Sequence, residues 1–308
     1  MNKNVLSVRL VETASELKEF LKFPWRVYGD DPNWVPPLYM DRKEMFDRDK
    51  HPFFKFAEVD LFMAWRGNEP VGTIAAILNH RHNEFHEESV AHFGFFEALD
   101  SEVATTLLNR VCDWAREKKK DKVLGPASFS SNYVYGMLVD GFDGPPAVEM
   151  SYNPPTYPQF VEDAGFAQAM DLWAWYFPLY ELYGSNAEHL PEKLTRVVGK
   201  IKKRYDIKIR EINLSDWDNE VALFQEIYNS AWSKNWGFVP LTDPEMHAIA
   251  ESLRMIVDPR VTFFAEIDGV PIGASVPLPN INEVLHRVRP GPSTFSTILA
   301  YVPLFLQR

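Results

Sequence analysis

Few residues in this 308-residue sequence combine a reactive type with a spacing that could do chemistry. His80, His82 and His86 stand among Glu84, Glu87 and Glu88, but a metal ion needs two ligands held rigidly on one element and a third from elsewhere. With no HExxH and no cysteine pair, the segment reads as a polar surface loop, and no metal is expected. The single cysteine, Cys112, lies in a helical pattern between Val111 and Trp114 with no histidine placed near it. It reads as a packed thiol rather than a nucleophile. Ser128, Ser130 and Ser131 are not in a GxSxG elbow, which removes the serine hydrolases. Neither GxGxxG nor GxxxxGK(S/T) occurs, so the common glycine-rich phosphate cradles are missing.

What remains is a set of phenols, amides and indoles. Tyr157, followed by Pro158, opens a short helix; its hydroxyl either faces a cleft or packs as core or cap, which makes it a weak catalytic candidate. Asn132, in the run Phe129-Ser-Ser-Asn, either lines a cleft or pins a turn. The segment NSAWSKNWGFVP, residues 229–240, sets Trp232, Trp236 and Phe238 beside Asn229 and Asn235. An aromatic floor with amide hydrogen-bonders suits an apolar or aromatic small molecule; packing between the two halves of the chain is the plainer alternative. Asn132, Asn229, Trp232 and Trp236 are therefore the candidates for a substrate cleft.

These side chains need a frame, and apolar periodicity supplies one. Val5–Val11 alternates as a strand, and Ser15–Leu21 follows as a helix with Leu17, Phe20 and Leu21 on one side. Phe23–Pro37 reads as an ordered loop or a pair of short helices. Val59–Trp65 and Val71–Leu78 form a hairpin across the turn residues 66–70. After a polar connection, Asn79–Ser89, comes a strand at Ala91–Ala98. Asp100 or Ser101 then caps a helix in which Val103, Leu107, Val111 and Trp114 recur at helical spacing. A short strand, Val123–Leu124, leads into a loop-rich stretch to Met150. In the helix opened by Tyr157, Phe160, Val161 and Ala164 share a buried face, and Gly165 takes the left-handed end. Leu172–Phe177 is aromatic-rich and reads as a strand.

Past a boundary at Pro178–Ser185, Pro191–Arg204 reads as an amphipathic helix with Leu194, Val197, Val198 and Ile201 inward. Its outer face carries Lys193, Arg196, Lys200, Lys202, Lys203 and Arg204, either a solvated face or an anion-attracting ridge. From Ile207 the pattern starts again. IKIREI echoes VRLVET near Val8, and FFAEIDGVPIGASVPLPN echoes LFMAWRGNEPVGTIAAILN, with Gly273 against Gly72. Trp217–Trp232 and Glu245–Val257 supply two helices between them.

Hydrophobic residues at 46% and charged residues at 24% indicate a folded globular chain long enough for two cores. Thirty-two basic against 43 acidic residues leave a net charge of −11, the wrong sign for gripping phosphate backbones, so a nucleic-acid partner is not expected. The N-terminus has charges within its short apolar run, and the apolar tail Phe295–Leu306 is too short to cross a bilayer and is broken by Pro303. The expectations are a cytoplasmic protein with a small-molecule substrate and no membrane partner; a homodimer is left open.

The element order, closing on a short helix and Gly165-Phe166, resembles the GNAT superfamily of acyltransferases over about residues 5–177. FPWRVYGDDPNWVPPL (Phe23–Leu38), HFGFFEALD (His92–Asp100) and SYNPPTYPQFVEDAGF (Ser151–Phe166) also resemble a group of bacterial GNAT-like proteins of uncharacterised function. The resemblance implies an α/β (α+β) fold, a mixed, mostly antiparallel sheet flanked by helices, in two tandem repeats of which the second is incomplete. It places a first domain at 1–180 with a degenerate cofactor turn, a connecting basic helix at 181–206 and a partial second domain at 207–308. It also places the 229–240 segment where such domains keep a substrate-facing helix and loop.

The activity implied is acyl transfer from acetyl-CoA or a longer acyl-CoA to an amine of unknown identity. In the superfamily the turn (Arg/Gln)-x-x-Gly-x-(Gly/Ala) aims backbone N–H groups and a helix N-terminus at the coenzyme A pyrophosphate. The matching turn here, Phe96–Glu102, has no glycine, no Arg or Gln, and three carboxylates. Asp100 and Glu102 are expected to satisfy the helix dipole in the place of a phosphate. A tyrosine that often protonates the leaving thiolate, four residues before Gly-Phe, is Val161 here, and Tyr157 sits one turn earlier. Asn153 resembles the asparagine that often opens this helix and supports the fold. The second repeat's coenzyme A turn would follow Asn280, where the sequence reads as truncated or shifted in frame. Two functions follow: an acyl-CoA-dependent N-acyltransferase, or a non-catalytic binding or scaffolding protein on a decayed acyltransferase fold.

Overall fold

The computed structural model describes residues 5–184, 190–254 and 256–306. Ser185, at the end of the expected boundary, and Met255, within an expected helix, lie outside them. The chain divides into two compact units that are discontinuous in sequence. One comprises residues 1–169, 235–240 and 280–308, the other 170–234 and 241–279. A reading along the chain divides it at 180 and 206 instead, because periodicity marks elements and not which distant elements pack together.

The first unit is built on a sheet in the order β1-β2-β3-β4-β5. Its strands are β1 (Leu6–Leu10), β2 (Ala57–Arg66), β3 (Glu69–Asn79), β4 (Val90–Ala98) and β5 (Lys122–Leu124). All pairs are antiparallel except β4 with β5. Along β2, Val59, Leu61 and Met63 point to one face, where α1 (Ala14–Val27) and α2 (Tyr39–Met45) pack; Phe62 and Ala64 point to the other. That second face is covered by α4 (Ser101–Glu117), after the short α3 (His80–His86), and by α5 (Tyr157–Asp163). The arrangement is the mixed, mostly antiparallel sheet flanked by helices that the sequence resemblance implies.

Local signals explain most of these elements. Thr13 and Glu16 form a reciprocal cap at the start of α1, whose buried side carries Phe20, Leu21 and Phe23. The helix continues through Pro24 to Val27, into the stretch that reads from sequence as an ordered loop or a pair of short helices. Asp100 caps α4 by accepting from the Val103 N–H at 3.0 Å. Below it Val103, Leu107, Val111 and Trp114 are buried, each contributing roughly 1.5–3 kcal/mol by its removal from water. Asn79 likewise caps α3, so the histidine segment is a helix and not a surface loop. His82 and His92 are buried there with ring centroids 4.7 Å apart, and His86 lies 4.6 Å from His82. Among the described residues no group of three or more His, Cys, Asp or Glu side chains is arranged to hold a metal ion.

Burial, then the neighbouring His82 and His86, holds His92 down at about 3 from an ordinary 6.5. Its folded value lies below its unfolded one, so its contribution is complete above pH 6.5 and is lost as pH falls toward 3. Between pH 7 and pH 5 this group alone costs about 2 kcal/mol. The check is a urea melt at both pH values against His92→Leu, whose stability should lack that share of the acid slope.

In the second unit α6 (Leu179–Tyr183) and α7 (Glu192–Tyr205) precede β6 (Lys208–Glu211), α8 (Trp217–Trp232), α9 (Asp243–Leu253), β7 (Phe263–Ile267) and β8 (Val270–Ser275). The sheet order is β6-β7-β8, all antiparallel. Strand, two helices and a bulged hairpin is also the order from β1 to β3. The Arg210 guanidinium ties this unit together, bonding both Glu220 oxygens at 2.8 and 2.9 Å and the Glu266 carboxylate. Two expectations fail in this unit. Leu172–Phe177 is not a strand: it has no regular structure, and Trp173, Trp175, Tyr176 and Phe177 are exposed. The apolar face of α7 is not inward either, and no residue of that helix is buried.

The chain then returns to the first unit with α10 (Asn282–Val288) and α11 (Thr294–Leu306). Helix α11 runs on past Pro303, which sits near its end and does not break it. Among the described residues no helix is long and apolar enough to cross a membrane.

Candidate active site

Strand β4 carries the site because its backbone does something local. Phe95 takes a left-handed φ of +48°, and the register with β3 shifts between Thr73 and Ala75. That bulge bends the strand and re-aims the residues after it. Gly94, just before it, lets the chain after β5 come close: the Ala127 N–H donates to the Phe93 carbonyl at 2.8 Å. A Cβ at position 94 would sit 1.7 Å from the Ala127 carbonyl oxygen. Parallel pairing of β4 with β5 covers only Val90 to His92. Beyond it a cavity of about 100 Å³ opens between Phe95, Phe96 and Glu97 on one side and Pro126, Ser128, Val134 and Gly136 on the other. Tyr28, Tyr152, Asn153 and Tyr157 also line it.

Glu97 is the acid in this cavity. The Tyr157 hydroxyl donates to its Oε2 at 2.8 Å and accepts from the Ala98 N–H at 2.9 Å. Loss of water raises the Glu97 carboxyl from an ordinary 4.5 to about 7, against the pull of hydrogen bonds from Tyr157 and Tyr28 and of the Arg42 charge. Glu97 keeps part of its surface accessible and lines the cavity. Burial and then the Glu97 charge push the Tyr157 and Tyr28 hydroxyls well above their usual value, so both stay protonated as donors. Tyr152 lies alongside, its hydroxyl bonded to Asp31 at 2.8 Å and its ring 6.1 Å from that of Tyr28. A carboxyl near neutrality beside protonated phenols is suited to taking a proton from a neutral or weakly acidic group.

Reading Glu97 as one of three turn carboxylates is therefore corrected: β4 runs to Ala98, and the turn starts at Leu99. The signal was present as the lone acid of β4, between Phe96 and Ala98. Nothing local revealed its partner, 60 residues away. The other two carboxylates do stay at the helix N-terminus. Arg66 bridges them, Nη1 to Asp100 at 2.9 Å and Nη2 to Glu102 at 2.8 Å.

The remaining candidates fall elsewhere. Asn132 donates to the Val239 carbonyl at 2.8 Å and, with Ser131 on the Gly237 carbonyl, Arg81 on that of Pro240 and His86 on that of Phe238, fastens residues 237–240. Trp236 packs edge-on against Tyr135 at 5.9 Å. In the second unit Asn229 closes a loop through both the N–H and the carbonyl of Leu241. It also lines an open groove with Asp218, Gln225 and His247. Trp232 stacks on Tyr228 at 5.7 Å and is half exposed. Of the five candidates only Tyr157 lines the Glu97 cavity. Asn153, buried, bonds both backbone groups of Leu138, a fold-holding role.

The chain is similar to a bacterial ceramide synthase from Caulobacter vibrioides (strain NA1000 / CB15N), 38% identical over 286 residues that span 92% of this chain and 72% of that protein. It is similar to the protein YghO of Escherichia coli (strain K12) at 33% identity over 279 residues, 90% of this chain and 69% of that one. No family profile matches. Among solved structures, an aminoglycoside acetyltransferase (meta-AAC0020) from an uncultured soil metagenomic sample, in complex with trehalose, superposes with a TM-score of 0.35 at 12% identity. That match covers 56% of this chain and 96% of the other.

Proposed function

The chain belongs to the family of the Caulobacter bacterial ceramide synthase and Escherichia coli YghO, and from that premise we propose that it is an N-acyltransferase acting on the amine of a long-chain amino alcohol. A ceramide is the amide of such an amine, and making it requires the amine to lose a proton as its nitrogen bonds to the acyl carbon. The observation that carries the reading is the Glu97 carboxyl, raised to about 7 inside the cavity and bonded to Tyr157. Glu97 takes the proton from the amine; Tyr157 orients the carboxylate, and its own proton stays in place while Glu97 is charged. The C–N bond forms, the bond from the acyl carbon to its carrier breaks, and the carrier leaves with the electron pair.

Acyl-CoA is the donor that the resemblance of the sequence to the acyltransferase superfamily implies. The turn that would hold its pyrophosphate does not fit: Asp100 already caps the helix, and Arg66 bridges Asp100 to Glu102. A pyrophosphate there would face two carboxylates and would have to take Arg66 from them. That observation favours a second reading, a non-catalytic binding protein on the same fold.

Incubation with sphinganine and palmitoyl-CoA, followed by mass spectrometry of the lipid extract, should yield the N-acyl product. Titration of the chain with acetyl-CoA and longer acyl-CoAs in a calorimeter separates the readings. Micromolar binding removes the non-catalytic alternative. An absence of heat up to millimolar ligand together with an absence of amide removes the enzyme.

A further inference from the structure

We propose that α7, together with the aromatic segment before it, docks on an anionic lipid surface. Leu194, Val197, Val198, Ile201 and Tyr205 recur at three- and four-residue steps, which places them on one stripe roughly 100° wide. Each is between 41% and 46% exposed, so the stripe is uncovered. Lys193, Arg196, Lys200, Lys203 and Arg204 occupy the arc along one side of the stripe, and Lys202 flanks it on the other. Residues 192–205 thus hold six basic side chains against one acidic, in a chain whose net charge is −11. Upstream in the same unit, Trp173, Trp175, Tyr176 and Tyr180 are each at least three-quarters exposed.

An uncovered apolar stripe bordered by lysine and arginine is the pattern of a helix that lies in a membrane interface, its stems reaching outward to the headgroups. Tryptophan and tyrosine settle at that same depth, with the ring in the acyl boundary and the polar tip at the headgroups. The charge pattern selects the occupant. A second copy meeting this face about a two-fold axis would set one row of cations against the other, whereas acidic headgroups complement it. The acidic remainder of the chain is repelled from the same surface, which leaves α7 as the contact. The proposal is independent of Glu97, which lies in the other unit.

The test is co-sedimentation of the full chain with vesicles of phosphatidylcholine alone and with roughly 30% phosphatidylglycerol, at low and high salt, with tryptophan emission recorded in parallel. Binding should need the anionic lipid, weaken with salt and shift the emission to the blue. Lys200→Gln with Lys203→Gln should weaken it about 25-fold, at about fivefold for each cation removed. Trp173→Ala with Trp175→Ala should weaken binding and remove most of the shift. All four side chains are exposed, so an unchanged melting temperature certifies the variants as folded. The proposal is overturned by no binding, or by equal binding to neutral and anionic vesicles. It is also overturned by a dimer in solution that the lysine variant converts to monomer, which would assign the face to a second copy.

Discussion

Glu97→Gln should lower the rate of amide formation by roughly 10²–10⁴-fold while the chain stays folded. The amide keeps the size and one hydrogen-bond acceptor for Tyr157, and loses only the capacity to take a proton. In the unaltered protein kcat/KM should rise with pH through about 7, the value set by burial of the Glu97 carboxyl and then offset by Tyr157, Tyr28 and Arg42. Tyr157→Phe removes a donor to the charged carboxylate, so the rising limb of that profile should move to higher pH. A purely structural tyrosine would lower activity without moving the profile, and that outcome would remove the catalytic assignment. The same variant leaves the Ala98 N–H without its partner, so a melt must accompany it.

Stability gives a second readout of Glu97. Its folded value, about 7, lies above the ordinary 4.5, so its contribution is complete below 4.5 and is lost as pH rises through 7. Relative to the unaltered chain, Glu97→Gln should therefore gain about 3 kcal/mol between pH 4 and pH 8. This slope runs opposite to that of His92, whose contribution is lost on the acid side. The two are separated only by their own variants, not by one melt of the parent. A Glu97→Gln protein whose pH–stability curve parallels the parent would show that the carboxyl is ordinary, and with it the case for a base would fall.

Gly94→Ala should destabilise the first unit by about 3 kcal/mol or more and open the cavity. The added Cβ would lie 1.7 Å from the Ala127 carbonyl oxygen and 2.6 Å from its carbon, and these are backbone atoms that no rotamer change moves away. Relief requires β4 to part from residues 125–128, breaking the Ala127–Phe93 hydrogen bond that closes one end of the site. Gly199 is the control. It lies inside α7, and a Cβ there meets nothing within 4 Å, so Gly199→Ala should stabilise by about 0.5–1 kcal/mol. Urea midpoints of the two variants should fall on opposite sides of the parent. A Gly94→Ala protein as stable as the parent would mean that β4 and the 125–128 segment are not in this close contact.

Much of the framework was legible from residue order alone, because helix and strand periods, caps and turns are decided within a few residues of one another. The hairpin of β2 and β3, the apolar face of α4 under its Asp100 cap, the span of α8 and the left-handed Gly165 are all of this kind. That the turn before α4 holds no glycine was also plain, since it rests on residue types. Tertiary structure alone decided the rest. Whether Leu172–Phe177 is a strand depends on a pairing edge, and aromatic composition does not supply one. Which way the apolar stripe of α7 faces depends on a neighbour to cover it, and among the described residues none buries it. Asn132 fastens a loop through the Val239 carbonyl, 107 residues away. Glu97 changes most. Its neighbours in sequence mark it as an acid among apolar residues, but its raised proton affinity comes from lost water, against the opposing pull of hydroxyls on Tyr28 and Tyr157 that stand about 60 residues or more away in the chain. Secondary structure is a local property of the chain, whereas a pKa belongs to the space that the fold encloses.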